Sequence, residues 1–210
     1  MPLIPLNRGI YWKLTDIAIM HCTLRKSHNR AVLALFLLFF LIPFTAVHAQ
    51  PPVRSLAGFV IKVADGDTIT VIDSLGTKVR VRLYGIDAPE IEKINKRTDR
   101  ISKPGQPYGD EAWKALSGKI LRQSVKLDVI AVDLYRRLVC LVWLGSRNIN
   151  QEMVAEGWAW AYRDYLETPY ASEFIDAEVR ARNSKLGLWQ GVNQLPPWEF
   201  RRLGKNEKIK

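Results

Sequence analysis

The chain has 210 residues, of which 48% are hydrophobic and 25% are charged, a balance that suits one ordinary soluble domain. Two cysteines exclude a disulfide framework, three histidines leave little for a histidine-rich metal site, and 11 prolines with 13 glycines exclude collagen-like and low-complexity chains. The 31 lysines and arginines outnumber the 21 acids and give a formal charge of +10, which favours an anionic partner.

Residues 1–49 have the pattern of a secretory signal peptide. Basic residues precede an uncharged apolar run over 31–47, and small residues surround a cleavage point after Ala49. Because this run is shorter than the ~20 apolar residues that span a bilayer, an uncleaved N-terminal membrane anchor is the alternative. The charged segment before the run is unusually long, so we expect translation to start at Met20. The sequence therefore predicts a secreted or periplasmic protein.

Removal of the signal peptide changes the chemistry that is available to the chain. The remaining 161 residues carry 26 basic and 20 acidic side chains, a formal charge of +6, and no histidine. Their one cysteine, Cys140, lies in an apolar run where a buried, inert thiol is expected. These counts exclude Ser-His-Asp hydrolases, histidine-based ribonucleases, zinc sites with imidazole ligands and Cys-His proteases. Carboxylates, arginine, lysine, tyrosine, serine or a hard metal ion must carry any reaction.

An extended segment over 50–57 leads into a region of β-branched, alternating residues. The predicted strands are 56–63, 68–72, 77–84, 124–132 and 137–144. The second and third strands form a hairpin around a four-residue turn at 73–76. Between the third and fourth strands, residues 91–108 are too polar and too rich in proline and glycine for a packed element, and we interpret them as a basic loop.

Helices are predicted later in the chain. One covers 110–121 with Asp110 as its cap, a short one ends at Gly157 with Asn148 or Asn150 as its cap, and a longer one covers 169–183. Strands that come first and helices that follow indicate an α+β fold, and five short antiparallel strands fit a small Greek-key barrel such as an OB-fold. Residues 190–210 are expected to be a lightly docked or disordered basic extension.

The most informative residues lie at one end of the predicted hairpin. With a turn at 73–76, Asp67 is opposite Arg82, and Asp87 and Glu90 follow just beyond the strand. A β-bulge would shift this facing by one residue but would keep the carboxylates together.

Three clustered carboxylates repel one another, and a hard divalent cation such as calcium or magnesium is the simplest partner for them. Such a metal would bind a phosphate oxygen, a carboxylate could activate water, and arginines such as Arg137 could neutralise charge on phosphorus. Each feature also has a structural explanation, because Asp-Gly-Asp is a common surface turn and alternating arginines often form the solvent face of a sheet.

Five short motifs resemble the staphylococcal nuclease family. In chain order they are Asp65-Gly-Asp-Thr68, Arg82-Leu-Tyr-Gly-Ile-Asp-Ala-Pro-Glu90, Tyr108-Gly-Asp-Glu-Ala112, Asp133-Leu-Tyr-Arg-Arg137 and Gly157-Trp-Ala159. The resemblance covers the predicted domain at 58–189. It implies a five-stranded OB-fold barrel with about three helices and calcium-dependent endonuclease activity on DNA and RNA that leaves 3′-phosphate ends.

The resemblance also implies roles for single residues. Asp67, Asp87 and the carbonyl oxygen of Ala88 are implied to bind calcium, with magnesium or another hard divalent ion as the alternative. Glu90 is implied to be the general base or to orient the attacking water. Arg82 is implied to hold the phosphate and to stabilise the transition state.

Arg137 is implied to be the second catalytic arginine, and Tyr135, Tyr162 and Arg136 are implied to contact the substrate. The family often has Tyr-Gly-Arg where this chain has Tyr135-Arg136-Arg137, which leaves open whether Arg136 or Arg137 faces the phosphate. The loop at 91–108 carries five basic residues, and it is either a clamp on the nucleic-acid backbone or a solvated flap.

These features favour an exported, metal-dependent endonuclease that cuts DNA, RNA or both as a monomer without a stable protein partner. Two alternatives stay open. One is a noncatalytic OB-fold module that binds nucleic acid or protein, and the other is a membrane-anchored envelope protein whose basic face contacts anionic lipid. The joint presence of three carboxylates and two arginines favours the enzyme.

Overall fold

The structure is a computed structural model that describes residues 54–207, with side chains through residue 204. Its strands are β1 (Arg54–Asp65), β2 (Thr68–Asp73), β3 (Lys78–Leu83), β4 (Ile86–Asp87), β5 (Lys93–Asn95), β6 (Arg100–Lys103), β7 (Ser124–Val132), β8 (Leu138–Leu144), β9 (Arg147–Asn148) and β10 (Trp160–Ala161). Its α-helices are α1 (Gly109–Ile120), α2 (Ile149–Ala155), α3 (Ala171–Asn183) and α4 (Pro197–Glu207), and 3₁₀ turns cover Arg163–Tyr165 and Gly187–Gln190. The predicted signal peptide lies outside the described residues.

Five strands close into a barrel. Strands β3, β2, β1, β7 and β8 pair in that order, all antiparallel, and β3 then pairs with β8 in parallel so that Leu83 lies beside Cys140. The long strand β1 pairs with β7 over 54–59 and with β2 over 58–65, and its pairing with β2 is irregular after Val60 and after Val63. This closed barrel with its helices confirms the predicted α+β OB-fold.

The core is built from alternate strand residues and from one face of each main helix. Helix α1 buries Ala112, Leu116 and Ile120, which are spaced four residues apart and therefore share one side of the helix. The buried strand residues include Val60, Ile69, Val71, Val81, Leu83 and Leu127. Cys140 is buried, as expected from the sequence, and burial raises the pKa of its thiol to about 12.

Two asparagines that looked alike in the sequence have different roles. Asn148 caps α2, since its side chain accepts a hydrogen bond from a backbone N–H of the first turn at 3.2 Å. Asn150 is completely buried and donates to the carbonyl oxygens of Tyr84 and Cys140, while it accepts from the N–H of Val142, each over 2.9 Å. Asn150 therefore joins the end of β3 to β8 at the point where the barrel closes.

The β2–β3 hairpin differs from the predicted register by one residue. Thr68, rather than Asp67, lies opposite Arg82. The reason is a longer turn, because the Asp73 carboxylate accepts hydrogen bonds from two backbone N–H groups inside it, at 2.9 and 2.8 Å. The turn therefore spans 73–77, and the carboxylates stay at the same end of the hairpin.

Two further predictions were wrong. Residues 91–108 contain the two-stranded β5–β6 hairpin instead of an irregular loop. Asp110 does not cap α1, because the cap residue is Tyr108, with φ 67°. Asp110 lies in the first turn instead, where its negative charge interacts favourably with the positive end of the helix dipole. Within the C-terminal extension, which was expected to be lightly docked or disordered, residues 197–207 form the helix α4. No helix within 54–207 is both long and apolar enough to cross a membrane.

Candidate active site

Asp67 and Asp87 meet at one end of the barrel. Asp67 lies in the turn between β1 and β2, and Asp87 ends β4, which β10 holds by antiparallel pairing. Gly66 makes the close approach possible, because a Cβ atom there would lie 2.7 Å from the Cβ of Ala88 and 2.9 Å from that of Ala112. A glycine between the strands therefore lets the turn, β4 and α1 pack together.

Arg82 joins the two aspartates. Its guanidinium forms an ion pair with Asp67, and its Nη2 lies 2.6 Å from Oδ1 of Asp87. Asp67 also accepts hydrogen bonds from the N–H of Ala88 and the hydroxyl of Thr68, each over 2.9 Å. Both carboxylates are buried, so their polar atoms are satisfied by protein groups of fixed position.

Glu90 lies beside the aspartates and contacts two more cations. It forms an ion pair with Lys103 of β6, and its Oε1 is 3.1 Å from Nη1 of Arg201 in α4. Arg201 also holds Asp87 with both guanidinium nitrogens, at 2.7 and 3.1 Å. The three carboxylates are thus matched by Arg82, Lys103 and Arg201. The chain itself therefore supplies positive charge to the cluster, and the metal expected from the sequence remains a prediction.

The aspartates of this cluster have different pKa values. Burial acts to raise the pKa of Asp67, but the charge of Arg82 and hydrogen bonds to the carboxylate outweigh it, and the pKa is lowered. Burial raises the pKa of Asp87, against an opposing hydrogen bond from Arg201. Burial and the charge of Asp67 raise the pKa of Asp65 to about 7. Of these three aspartates, Asp67 is the one most firmly held as an anion.

Arg137, and not Arg136, lies next to the cluster. Its Nη1 is 3.4 Å from the hydroxyl of Thr68, which itself bonds Asp67, and its Nε donates to Asp133 over 2.7 Å. Arg136 is exposed and has φ 58° in the turn before β8. The arginine that stands in the position of the family's usual glycine thus takes the left-handed conformation that favours glycine.

The two predicted substrate tyrosines lie in different surroundings. Tyr135 is 71% exposed, and its ring is 5.5 Å from the guanidinium of Arg137. Tyr162 follows β10, and its N–H donates to the carbonyl oxygen of Gly85 over 2.8 Å. Burial and the nearby charge of Asp87 raise the pKa of Tyr162. Tyr162 is therefore close to the carboxylates, whereas no hydrogen bond or ion pair within 54–207 joins Tyr135 to them.

Four residues of the site were missed by sequence reasoning. They are Asp65, Lys103, Arg201 and Gln106, whose side-chain oxygen accepts a hydrogen bond from the N–H of Glu90 over 3.1 Å. Asp65 is part of the Asp-Gly-Asp motif and Lys103 belongs to the basic segment 91–108, so the sequence pointed to both, although neither was assigned to the site. Arg201 lies 111 residues from Glu90 in a tail without a functional motif, and only the fold brings the two together.

The donor chemistry of the cluster fits a hard cation. Asp67, Asp87 and the carbonyl of Ala88 offer oxygen atoms, which calcium and magnesium prefer. No group of three or more His, Cys, Asp or Glu side chains within the described range is arranged to hold a metal ion. A cation here would therefore complete its coordination with water or substrate oxygens.

Comparison with known proteins agrees with this geometry. A family model described as "Staphylococcal nuclease homologue" matches residues 80–191. "Protein ParB" of Escherichia coli is 36% identical over 171 residues, which cover 77% of this chain and 88% of that protein. "Micrococcal nuclease" of Shigella flexneri is 36% identical over 165 residues, with 74% and 86% covered, and an "Uncharacterized endonuclease" of Haemophilus influenzae is 34% identical over 146 residues, with 70% and 73% covered. The chain therefore belongs to the staphylococcal nuclease family, a family of nucleases with the OB-fold barrel described above.

Proposed function

We propose that this protein is an exported, calcium-dependent endonuclease that hydrolyses phosphodiester bonds of DNA, RNA or both. The observation that carries the proposal is the convergence of Asp67, Asp87, Glu90 and Arg82 at one end of the barrel. The relatives named micrococcal nuclease and endonuclease support the same reaction class.

In the proposed reaction Glu90 accepts a proton from a water molecule whose oxygen attacks phosphorus. Arg82 and Arg137 bind the phosphate and stabilise the negative charge that grows in the transition state. The bond from phosphorus to the 5′-oxygen breaks, and the 3′ side keeps the phosphate. The leaving oxygen takes its proton from water, because the charges of Asp67 and Asp87 outweigh burial and raise the pKa of Arg82 above its ordinary value, which makes Arg82 a poor acid.

Asp67, Asp87 and the carbonyl of Ala88 would hold the calcium ion. When bound, it would supply positive charge to a phosphate oxygen. Magnesium or another hard divalent ion is the alternative for this role. For the metal to bind, the ion pairs of Arg82 and Arg201 with these carboxylates would have to loosen.

The β5–β6 hairpin is proposed to bind the nucleic-acid backbone. Its base is tied to the cluster by the ion pair of Lys103 with Glu90 and by Lys93, whose Nζ is 3.6 Å from Oδ2 of Asp65. Beyond this base, Lys96, Arg97 and Arg100 are exposed. A strand leaving the active site along the hairpin would therefore meet a row of positive charge.

Neutralising that row tests the clamp. Changing Lys96, Arg97 and Arg100 to Gln should raise KM. It should also reduce the slope of log affinity against log salt concentration by about 2 to 3, since each phosphate contact contributes about 0.7 to 0.9 to that slope. The matched control changes three exposed basic residues elsewhere, Lys62, Lys78 and Arg180. An equal effect in both variants would show that only total charge matters.

One assay tests the enzyme. The full chain is incubated with supercoiled plasmid or RNA in calcium, magnesium or EDTA, beside Glu90→Gln and the exposed control Glu111→Gln. We expect cleavage with calcium, none with EDTA, and a loss of about 10² or more in kcat for Glu90→Gln alone. Cleavage in EDTA would refute the metal role. Binding without cleavage under every ion would favour the noncatalytic binding module.

Export and assembly need their own measurements. N-terminal sequencing of protein collected outside the cytoplasm should begin at Gln50, and an intact N-terminus in the membrane fraction would favour the anchor instead. Light scattering of the purified protein should give the mass of a monomer.

A further inference from the structure

Helix α4 brings two side chains of the C-terminal segment onto the candidate active site. Trp198 and Arg201 are three residues apart, so they project from the same side of the helix. Trp198 contacts Tyr162, and Arg201 contacts Asp87 and Glu90. Each of these partners was assigned above to substrate, metal or water.

Arg201 occupies the carboxylates in the manner of a bound cation. Its two guanidinium nitrogens lie 2.7 and 3.1 Å from the two oxygens of Asp87, a bidentate arrangement, and Nη1 is also 3.1 Å from Glu90. The Asp87 side chain is fully buried and that of Glu90 is 8% exposed. With Arg201 in this position, Glu90 is engaged as an ion-pair partner, and Asp87 has both oxygens in use.

Trp198 covers one face of the Tyr162 ring. The two rings are parallel within 1°, with centroids 5.1 Å apart. An aromatic ring stacked on tyrosine is also the arrangement by which proteins hold single-stranded bases. The ring of Trp198 and the guanidinium of Arg201 thus cover, together, one face of the expected substrate tyrosine and two of the site's carboxylates.

A third contact fixes the segment that leads into α4. Nε2 of Gln106 donates to the carbonyl oxygen of Leu195 over 3.1 Å, while Oε1 of the same side chain accepts from the N–H of Glu90 over 3.1 Å. One glutamine therefore ties the backbone at Glu90 to the start of the C-terminal segment.

We propose that α4 is an intramolecular latch, which covers the metal and substrate face through Arg201 and Trp198 and which nucleic acid and a divalent cation displace together. This inference rests on the proposed function for the identity of the ligands. Because the latch and the ligands compete, the apparent affinity for each ligand is reduced by the fraction of molecules in which the latch is open.

The test compares Arg201→Gln, Trp198→Ala and the matched control Arg202→Gln, an exposed arginine of the same helix. Calorimetry measures binding of calcium alone, and fluorescence anisotropy measures binding of a labelled phosphorothioate octathymidylate in calcium. Arg201→Gln should bind calcium about three- to tenfold more tightly, Trp198→Ala should bind the oligonucleotide more tightly, and Arg202→Gln should match the wild type in both.

Other outcomes overturn the latch. Weaker oligonucleotide binding by Trp198→Ala would make α4 part of the substrate surface, and calcium affinity that is unchanged or lower in Arg201→Gln would show that Arg201 does not compete with the metal. Neither readout needs turnover. If no variant cleaves nucleic acid, the proposed function fails, while the two binding measurements still decide whether the latch exists.

Discussion

The amide of Asn150 holds together the place where the barrel closes, and its removal gives a quantitative prediction. In Asn150→Ala the N–H of Val142 and the carbonyl of Tyr84 lose the partner described above. The carbonyl of Cys140 keeps another partner, because it also accepts from the N–H of Tyr84 over 2.8 Å. Two buried backbone groups are therefore left unsatisfied.

An unsatisfied buried polar group costs about 1 to 3 kcal/mol, so Asn150→Ala should lower the free energy of unfolding by about 2 to 6 kcal/mol. Asn148→Ala makes the same chemical change two residues away but removes only a helix cap, which costs about 0.5 to 2 kcal/mol. Typical domains are stable by about 5 to 15 kcal/mol, so the first variant should be close to unfolding while the second stays folded.

Urea unfolding followed by tryptophan fluorescence measures both losses in the full chain. Asn150→Asp adds a sharper comparison, because it keeps the volume and the acceptor for Val142 but, even when protonated, has only one O–H to donate where the amide donates to two carbonyl oxygens. A loss in Asn150→Ala no larger than that in Asn148→Ala would refute the argument that these buried hydrogen bonds hold the closure.

Three further changes test single features of the site and the core. Arg136→Gly should stabilise the protein by about 0.5 to 1 kcal/mol, since a non-glycine residue at positive φ costs about 1 to 2 kcal/mol and the greater entropy of glycine in the unfolded chain offsets part of this gain. Thermal unfolding measures the stability, and a rise in KM would support the substrate contact of Arg136. Gly66→Ala should cost about 1 to 3 kcal/mol and reduce kcat, because its Cβ would press on Ala88 and Ala112 beside Asp67; unchanged kinetics would contradict this. Cys140 should remain unmodified by iodoacetamide at pH 8 in native protein and react in urea, as peptide mass spectrometry would detect; labelling of the folded protein would show that the thiol is accessible.

Local patterns in the sequence were sufficient to predict the barrel. Alternating β-branched residues located all five barrel strands, and the apolar spacing of Ala112, Leu116 and Ile120 located α1. The hairpin register failed by one residue because it depended on hydrogen bonds inside a turn, where the side chain of Asp73 added a residue. Such a bond is a property of the folded turn, and composition does not reveal it.

The carboxylates of the site were predictable because they lie close together in the sequence, whereas their cations do not. Asp67, Arg82, Asp87 and Glu90 fall within 24 residues, and one hairpin is sufficient to bring them together. Lys103 and Arg201 reach the same carboxylates through β6 and α4, elements that were expected to be a loop and a loose tail. Contacts of this kind depend on the whole fold and leave no periodic signal in the sequence.

The parallel pairing of β3 with β8 sets the order in which the site can form during synthesis. Arg82 lies beside Val139 in this pairing, so the strand that carries it gains its second neighbour only after residues 138–140 have been made. A nascent chain that ends before β8 already contains Asp67, Asp87 and Glu90, yet its barrel is open along one edge. Because the pairing joins segments far apart in the sequence, we expect it to form late in folding, and Arg82 to gain its fixed place beside β8 at that step.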